Sequence, residues 1–351
     1  MNAQSQTTNE RPIIVADRHI PYLQGRLEPF AEVRYIDQDD FTPEAVADAD
    51  AVLVRTRTRC GRSLLEGSRC QLAATATIGL DHFDLPWLRE TGIEASNAPG
   101  CNAPGVAQYV WGAILDHFGN VEGLKVGVVG KGNVGSIVTD WGRKLGAEVL
   151  VCDPPRQEAG FTDEEYLSLD KLMAECDVVT FHTPFERAGN HPTFHLANAE
   201  NMAKMRRDSL LINAARGGVV DNAALKDLLR EGRIKAVIDT WENEPNLDRE
   251  LLPLVEAGTP HIAGYSLEGK QRATRMILET VGRHFGWNPD LSGLEPNYVA
   301  PLSISPEEIT DSYIPSNDNY LLQEYFKDFD TLRAEYVTRP EPRFRDMPVK
   351  E

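Results

Sequence analysis

The stretch Lys125-Val-Gly-Val-Val-Gly-Lys-Gly-Asn-Val-Gly135 decides how the rest of this chain is read. It opens as a short apolar run, KVGVV, of the kind that forms a buried strand. It passes through Gly130-Lys-Gly-Asn-Val-Gly135, a G-x-G-x-x-G hexapeptide, into an amphipathic segment from Val134 to Leu145. In a chain with 27 glycines the hexapeptide alone carries little weight, because many such runs are ordinary turns. Context gives it meaning. A strand precedes it, a helix follows it, and an acid, Asp153, lies 18 positions after Gly135 at the end of the next apolar run, Glu148–Cys152. Glycines let backbone approach a pyrophosphate, a helix N-terminus offers unpaired N–H groups, and a strand-end carboxylate receives ribose hydroxyls. The expected ligand is a dinucleotide at Gly130, Gly132, Asn133, Val134, Gly135 and Asp153. Asp153 should repel a 2′-phosphate, which favours NAD over NADP.

Outward from this unit the same alternation continues. Strand-like runs follow at Asp177–Phe181, Ser209–Asn213 and Lys235–Asp239, separated by helical patterns near Leu167–Glu175, Ala199–Met205 and Ala223–Glu231. Five strands with helices between them describe a doubly wound parallel sheet. Upstream, Ile13–Ala16, Val33–Ile36, Ala51–Val54 and Leu72–Ala76 read as further strands, with Pro43–Ala49 and Ser63–Ser68 as helical links. Asn97 to Gly105 holds two Pro and two Gly and reads as a loop before a helix at Val106–Phe118. Another helix is expected at Lys270–Phe285, where Met276, Ile277, Val281 and Phe285 share one face. Beyond Gly286 the chain turns rich in Pro, Asn, Ser and Asp, and only Tyr320–Val337 reads as an amphipathic element.

Composition sets the outer limits. The 351 residues suit two or three domains, and 54 acids against 36 Lys and Arg leave a net charge of −18. Such a surface disfavours nucleic acid and anionic lipid, while leaving room for a locally basic pocket. No run approaches the roughly 20 apolar residues of a membrane helix. The first eleven residues, MNAQSQTTNER, lack the apolar core of a secretory signal. Five scattered cysteines form no CxxC pair, which fits a reducing cytoplasm and argues against a zinc site or a disulfide framework.

Three motifs carry chemistry. Ile212-Asn-Ala-Ala-Arg-Gly-Gly218 puts Arg216 just past a strand, Asp239-Thr-Trp-Glu-Asn-Glu-Pro245 places Glu244 after the next, and Thr259-Pro-His-Ile-Ala-Gly-Tyr-Ser266 supplies His261. Singly, each has a bland reading as a capping arginine, a surface acid and a structural histidine. Together they are the parts for oxidising an alcohol beside a carboxylate. A guanidinium clamps the carboxylate, an imidazole takes the hydroxyl proton, and an acid paired with the imidazole raises its basicity and fixes its tautomer. This chemistry calls for no metal.

With VGVVGKGNVG, FHTP, INAARGGVVDN, WENEP and TPHIAGYSLEGK in this order, the chain resembles the D-2-hydroxyacid dehydrogenase family from about Ile13 to Phe285. ATATIGLDHFD, SNAPGCNA and CDPPR resemble the branch that acts on 4-phospho-D-erythronate in vitamin B6 (pyridoxal 5′-phosphate) biosynthesis. The resemblance implies an α/β protein of two lobes. A Rossmann NAD-binding domain (101–264) is inserted in a flavodoxin-like substrate domain (12–100 with 265–290). A disordered tail (1–11) precedes them and a shortened α+β dimerisation region (291–351) follows. It implies Arg216, Glu244 and His261 as catalytic residues, with His261 the base. It adds Thr183, Ala214, Ala215, Arg216, Asp239 and Gly264 to the NAD site, and gives Thr56, Thr77 and Tyr265 to the substrate. The implied hinges lie near residues 101 and 264, and the implied assembly is a homodimer.

A substrate with a phosphate needs cations besides Arg216. Arg55, Arg57 and Arg59 alternate just past Ala51–Val54, and continued extension would put all three on one face. Lys270 and Arg272 are second choices. The competing readings are another member of the family, such as a phosphoglycerate dehydrogenase, and an NADH-sensing scaffold resembling the C-terminal-binding corepressors. In the tail, Asp328-Phe-Asp-Thr-Leu-Arg-Ala-Glu-Tyr336 resembles part of the branch's dimerisation module.

Overall fold

Ala51-Val-Leu-Val54 and Leu72-Ala-Ala-Thr75 are buried along their whole length, as parallel strands covered on both faces must be. In the computed structural model, which describes residues 11–346, they belong to the first of two units, residues 11–102 with 268–297. Its strands are β1 (Ile13–Asp17), β2 (Glu32–Ile36), β3 (Ala51–Val54), β4 (Leu72–Thr75) and β5 (Glu94–Ser96). All pairings are parallel, in the order β2-β1-β3-β4-β5, which is the flavodoxin-like order. The short helices α1 (Pro43–Val46), α2 (Arg62–Leu65) and α3 (Leu85–Thr91) link them. Thr42 and Asp84 start α1 and α3 by accepting from the Ala45 and Trp87 N–H groups. Apart from Arg11, the tail expected over residues 1–11 lies outside the described residues.

The second unit, residues 103–267 with 298–346, begins with α4 (Ala103–Phe118). There follow β6 (Lys125–Val129), α5 (Asn133–Lys144), β7 (Glu148–Cys152), α6 (Pro154–Glu158), α7 (Leu169–Glu175), β8 (Val178–Phe181) and α8 (Ala199–Met202). The sheet is completed by β9 (Leu210–Asn213), α9 (Asn222–Arg230), β10 (Lys235–Ile238) and β11 (Ala257–Gly258). The strand order is β11-β10-β9-β8-β6-β7. Tyr166 adds one parallel bridge to Val151 on the outer side of β7, where the third strand of a Rossmann sheet would run. The order reverses between β6 and β8, and loops after those two strands flank the switch point where such sheets bind ligands.

Helix α10 (Leu267–Phe285) buries Ile277, Leu278 and Val281 in one cluster with Ile14, Leu53 and Leu72 of the first unit. After residue 297 the chain packs on the second unit through α11 (Pro306–Thr310), α12 (Asn319–Glu324) and α13 (Phe329–Glu335). Ile309, Tyr313 and Phe344 join the core around Trp111 and Trp141, while Leu322 and Phe329 join the one around Trp241 and Leu252.

Five elements escape the sequence patterns, the Pro-initiated helix α11 among them. β5 and β11 are three and two residues long, too short to show a period, and α3 and α6 are built from Pro-initiated turns. The loop expected through Gly105 ends earlier, because α4 begins at Ala103 and Gly105 fits where a Cβ would meet Ser266 Oγ at 2.9 Å. Among the described residues no helix is long and apolar enough to cross a membrane.

Candidate active site

Every strand of the second sheet from β6 to β11 delivers a candidate residue at its C-terminal end. After β6, Gly130 turns with φ +90°, and a Cβ there would stand 2.9 Å from the His182 carbonyl oxygen. A Cβ on Gly135 would overlap the Gly130 carbonyl at 1.9 Å, so the hexapeptide admits only glycine at both places. Gly132 is the N-cap of α5 and gives it no side-chain cap, so the N–H groups of the first turn, at Asn133 and Val134, are available to an anion.

After β7, Asp153 accepts from the Lys131 N–H at 2.7 Å and the Arg156 N–H at 3.0 Å, which fixes its carboxylate beside the glycine turn. The cations nearby are engaged elsewhere. Lys131 Nζ lies 2.7 Å from Asp163 and 2.5 Å from Glu164, while Arg156 donates to Tyr166 and Asp163 and stacks over Phe161. The cations near Asp153 are therefore paired with other acids rather than turned toward a 2′-phosphate. Beyond β8, Thr183 Oγ1 and His182 Nδ1 are buried and lack a hydrogen-bond partner among the described residues. Burial pulls the His182 imidazole down to about 3, so the ring is neutral. A glycine cradle, an uncapped helix start and buried polar atoms awaiting a partner together fit a dinucleotide.

The catalytic candidates converge through the loops after β9, β10 and β11. Buried Asn213 donates to the carbonyls of Arg216 and Thr240 and accepts from the Ala215 N–H, folding residues 214–216 back over the strand end. A Cβ on Gly217 would overlap the Trp241 carbonyl at 1.8 Å; glycine there lets the Arg216 loop lie directly on the Trp241–Glu242 peptide. The half-buried Arg216 guanidinium donates to its own loop at the Ala215 carbonyl, 2.9 Å away.

Glu244 accepts from the Trp241 N–H at 2.7 Å through Oε1 and meets His261 Nδ1 at 2.8 Å through Oε2. Burial pushes the Glu244 carboxyl up, but the charge and hydrogen bond of His261, the Trp241 N–H and the Arg333 guanidinium outweigh it. The carboxylate is held below its ordinary range and stays ionised. With Nδ1 facing an anion, His261 presents Nε2, which has no hydrogen bond among the described residues, as the candidate proton acceptor.

His261 itself sits at φ +56°, a conformation that costs a β-carbon residue on the order of 1 kcal/mol or more. Asp239 secures it. Its carbonyl accepts from the His261 N–H, and its carboxylate accepts from Thr259 Oγ1 and from the N–H groups of Ile262 and Ala263. Tyr109 Oη in turn lies 2.8 Å from Thr259 Oγ1. Burial raises the Asp239 carboxyl, and His261, Thr259 and the two N–H groups work against that rise. Gly264 and half-buried Tyr265 follow directly, with the Tyr265 N–H bonded to the Ile262 carbonyl.

On the first unit the expected row of arginines does not form. β3 ends at Val54, and the chain turns at once, with the Thr58 N–H bonded to the Arg55 carbonyl, so Arg55, Arg57 and Arg59 do not share an extended face. Arg55 reaches back to the Asp17 carboxylate at 3.5 Å and the His19 carbonyl at 3.1 Å. Arg272 is buried and donates to the Cys101 carbonyl, and burial lowers half-buried Lys270 with Arg55 adding to the effect. Thr56 is exposed, and Thr77 shares a hydrogen bond with Thr75. Among the described residues His195, Asp221 and Glu242 approach metal-ligand spacing. In this structure the three are already joined to one another, with His195 Nε2 at 2.7 Å from Glu242 and Nδ1 at 3.6 Å from Asp221.

Sequence reasoning missed Asn213, Thr259 and Tyr109, which hold the loops, and two arginines of the tail, Arg333 and Arg339. Asn213 stands inside a motif that was recognised for its arginine, so its place at the strand end was a usable signal. The Tyr109–Thr259 contact joins residues 150 positions apart and leaves no local trace.

Residues 106–263 match the family described as D-isomer specific 2-hydroxyacid dehydrogenase, NAD binding domain. The chain is 43% identical over 338 residues to an erythronate-4-phosphate dehydrogenase from Bacteroides fragilis, covering 93% of this chain and 97% of that one. It is 40% identical over 355 residues to an erythronate-4-phosphate dehydrogenase from Pseudomonas putida, covering 94% and 93%. Among solved structures, D-lactate dehydrogenase from Aquifex aeolicus, complexed with NAD and lactic acid, aligns with a TM-score of 0.64 at 25% identity over 78% of this chain and 95% of that one. D-mandelate dehydrogenase from Rhodotorula graminis shares the fold with a TM-score of 0.67 at 22% identity, over 83% and 99%.

Proposed function

Because the chain belongs to the erythronate-4-phosphate dehydrogenases, a branch of the D-isomer specific 2-hydroxyacid dehydrogenases, we propose that it oxidises 4-phospho-D-erythronate to (R)-3-hydroxy-2-oxo-4-phosphooxybutanoate with NAD, in pyridoxal 5′-phosphate biosynthesis. The observation that carries the reading is the Glu244–His261 pair, joined at 2.8 Å with the imidazole Nε2 left over. NAD, when bound, supplies the hydride acceptor. The protein supplies the rest.

Arg216 takes the substrate carboxylate and orients the carbon that bears the hydroxyl. His261 Nε2 removes the hydroxyl proton, and the ionised Glu244 stabilises the imidazolium that results while fixing its tautomer. Asp239 keeps the base in its positive-φ conformation. Gly130, Gly132, Asn133, Val134 and Gly135 receive the pyrophosphate, Asp153 the ribose hydroxyls, and Thr183, Ala214, Ala215 and Gly264 line the same site. Thr56, Thr77, Arg55 and Tyr265 contact the substrate.

The protein works in the cytoplasm, a setting consistent with five buried cysteines that form no disulfide among the described residues. It works as a homodimer. Support comes from the apolar side chains that the tail exposes, Leu302 at 69% and Val337 at 86%, together with Tyr320 and Tyr325. Light scattering that returns a monomer would reject the dimer. The activity is tested by NADH formation with 4-phospho-D-erythronate against 3-phosphoglycerate. Preference for the former supports the reading, preference for the latter moves the chain to another reaction of the family, and turnover of neither favours an NADH-sensing scaffold.

A further inference from the structure

The tail does more than cover the second unit. Arg339, 6% exposed, donates to the Ile262 and Ala263 carbonyls just after His261, to the Gly105 carbonyl and to Gln108 Oε1, and its guanidinium lies 4.0 Å from the Tyr313 ring centroid. The Leu267 N–H donates to the Arg339 carbonyl, and Ser266 Oγ to Glu341. Residues 339–341 are thereby tied along residues 262–267. The helix α13, a few residues earlier, is fixed beside the same loop. Its Arg333 guanidinium stands 5.9 Å from the centroid of the Tyr265 ring and acts electrostatically on Glu244.

Arg333 has an unusual hydrogen-bond account. Its Nε is buried and has no acceptor, and the guanidinium makes no hydrogen bond or ion pair among the described residues. Buried Arg339 also lacks a carboxylate but spends its donors on carbonyls and an amide oxygen, whereas the Arg333 Nε bond is left unmade. A buried donor left unmade is costly unless something supplies the acceptor, and a planar fork of N–H groups matches phosphate oxygens. Of the basic residues singled out in the first unit, Arg55 faces Asp17, Arg272 is taken by a carbonyl, and Arg59 is exposed to solvent.

We propose that Arg333, carried by the C-terminal tail and placed against Tyr265, is the residue that binds the phosphate of the substrate. This rests on the reading of the substrate given above. The tail is then part of the active site of its own chain, and the specificity for a phosphorylated hydroxy acid resides in α13, outside the NAD-binding sheet. Arg216 deals with the carboxylate and Arg333 with the phosphate, one guanidinium for each end of the molecule.

Calorimetric binding to the NADH-bound protein tests this independently of turnover. The ligands are 4-phospho-D-erythronate, unphosphorylated D-erythronate and inorganic phosphate, and the proteins are wild type, Arg333→Met and Arg333→Lys. The expected result for Arg333→Met is about a 30- to 100-fold weaker affinity for 4-phospho-D-erythronate, the scale of a lost charge-assisted contact. D-Erythronate and NADH affinities should stay unchanged, and phosphate binding should disappear. Arg333→Lys, which keeps the charge and the stem, should recover part of the loss and guards against a variant that fails to fold. Affinity for the phosphorylated ligand within threefold of wild type overturns the proposal. Equal losses for the phosphorylated and unphosphorylated acids also overturn it, because the residue would then act on the carboxylate end or on the loop. If inorganic phosphate binds in an Arg333-dependent way while 4-phospho-D-erythronate is not turned over, the anion site stands and the substrate assignment falls.

Discussion

The two parallel sheets end in margins that look alike in sequence and differ in how their polar groups are paired. After β3 and β4 most groups close on one another: Arg55 on the His19 carbonyl, Thr77 on Thr75 and His82 on Thr75, with Thr58 Oγ1 and Asp17 Oδ2, which faces Arg55 at 3.5 Å, buried without a hydrogen bond among the described residues. After β8 and β11, and in the tail that leans on them, groups with catalytic or ligand chemistry are left open: Thr183 Oγ1, His182 Nδ1, His261 Nε2 and Arg333 Nε. Arginine density points to the first margin, but the open groups there are an acid and a hydroxyl, whereas the open guanidinium and imidazoles lie at the second. Buried donors and acceptors are almost always satisfied in a folded chain, so a group of open ones marks where a ligand completes the structure.

The strongest way to break this contrast is to remove charge from the second margin. Glu244→Gln keeps an acceptor for the Trp241 N–H but cannot stabilise an imidazolium. It should lower kcat on the order of 10³- to 10⁴-fold with NAD affinity unchanged, as measured by steady-state kinetics and cofactor titration. A loss under tenfold would place the proton acceptor elsewhere. Next is the brace. Arg339→Met leaves the carbonyls of Gly105, Ile262 and Ala263 without their donor, and should cost about 3 kcal/mol or more in denaturant unfolding while depressing kcat.

A smaller effect compares the arginines directly. Arg55→Met should raise the KM for 4-phospho-D-erythronate less than Arg333→Met does, because Arg55 already has protein partners. The reverse order would return the phosphate to the first margin. Smaller again is cofactor choice. Asp153→Ser should shift the ratio of kcat/KM for NAD over NADP by about tenfold, or 1.4 kcal/mol, by relieving repulsion of the 2′-phosphate.

The remaining prediction is a pH effect on stability rather than on turnover. An unfolded histidine takes its proton near 6.5, whereas native His182 does so only at about 3. Between those values the unfolded chain binds more protons, so native stability falls as the solution is acidified, by at most about 1.4 kcal/mol per pH unit from this residue. His182→Asn should flatten the dependence of unfolding free energy on pH over that window.

Much of this was legible in the sequence because it is local. A strand, three glycines, a helix start and Asp153 fall within 29 residues, and each obeys a short-range rule of backbone geometry or capping. Arg216 and Glu244 were readable because each stands within a few residues of a strand visible in the sequence, and His261 because its own motif supplies the base that those two call for. What escaped is long-range. Nothing near Arg333 or Arg339 announces that the tail folds back on residues 262–267, and the contacts that reveal it join positions more than 70 apart. The arginine alternation at 55–59 misled for a related reason: period two needs extended backbone, and the turn closed by Thr58 ends it.

The central claim is that His261 is the base, made so by Glu244 and by the strained loop that presents Nε2. Single-turnover NADH formation from 4-phospho-D-erythronate, in wild type and His261→Asn both saturated with NAD and substrate, tests it most directly. The account predicts a rate in the variant at least about 10³-fold slower, with both ligands bound as tightly as before. A variant that forms NADH within tenfold of the wild-type rate would contradict it.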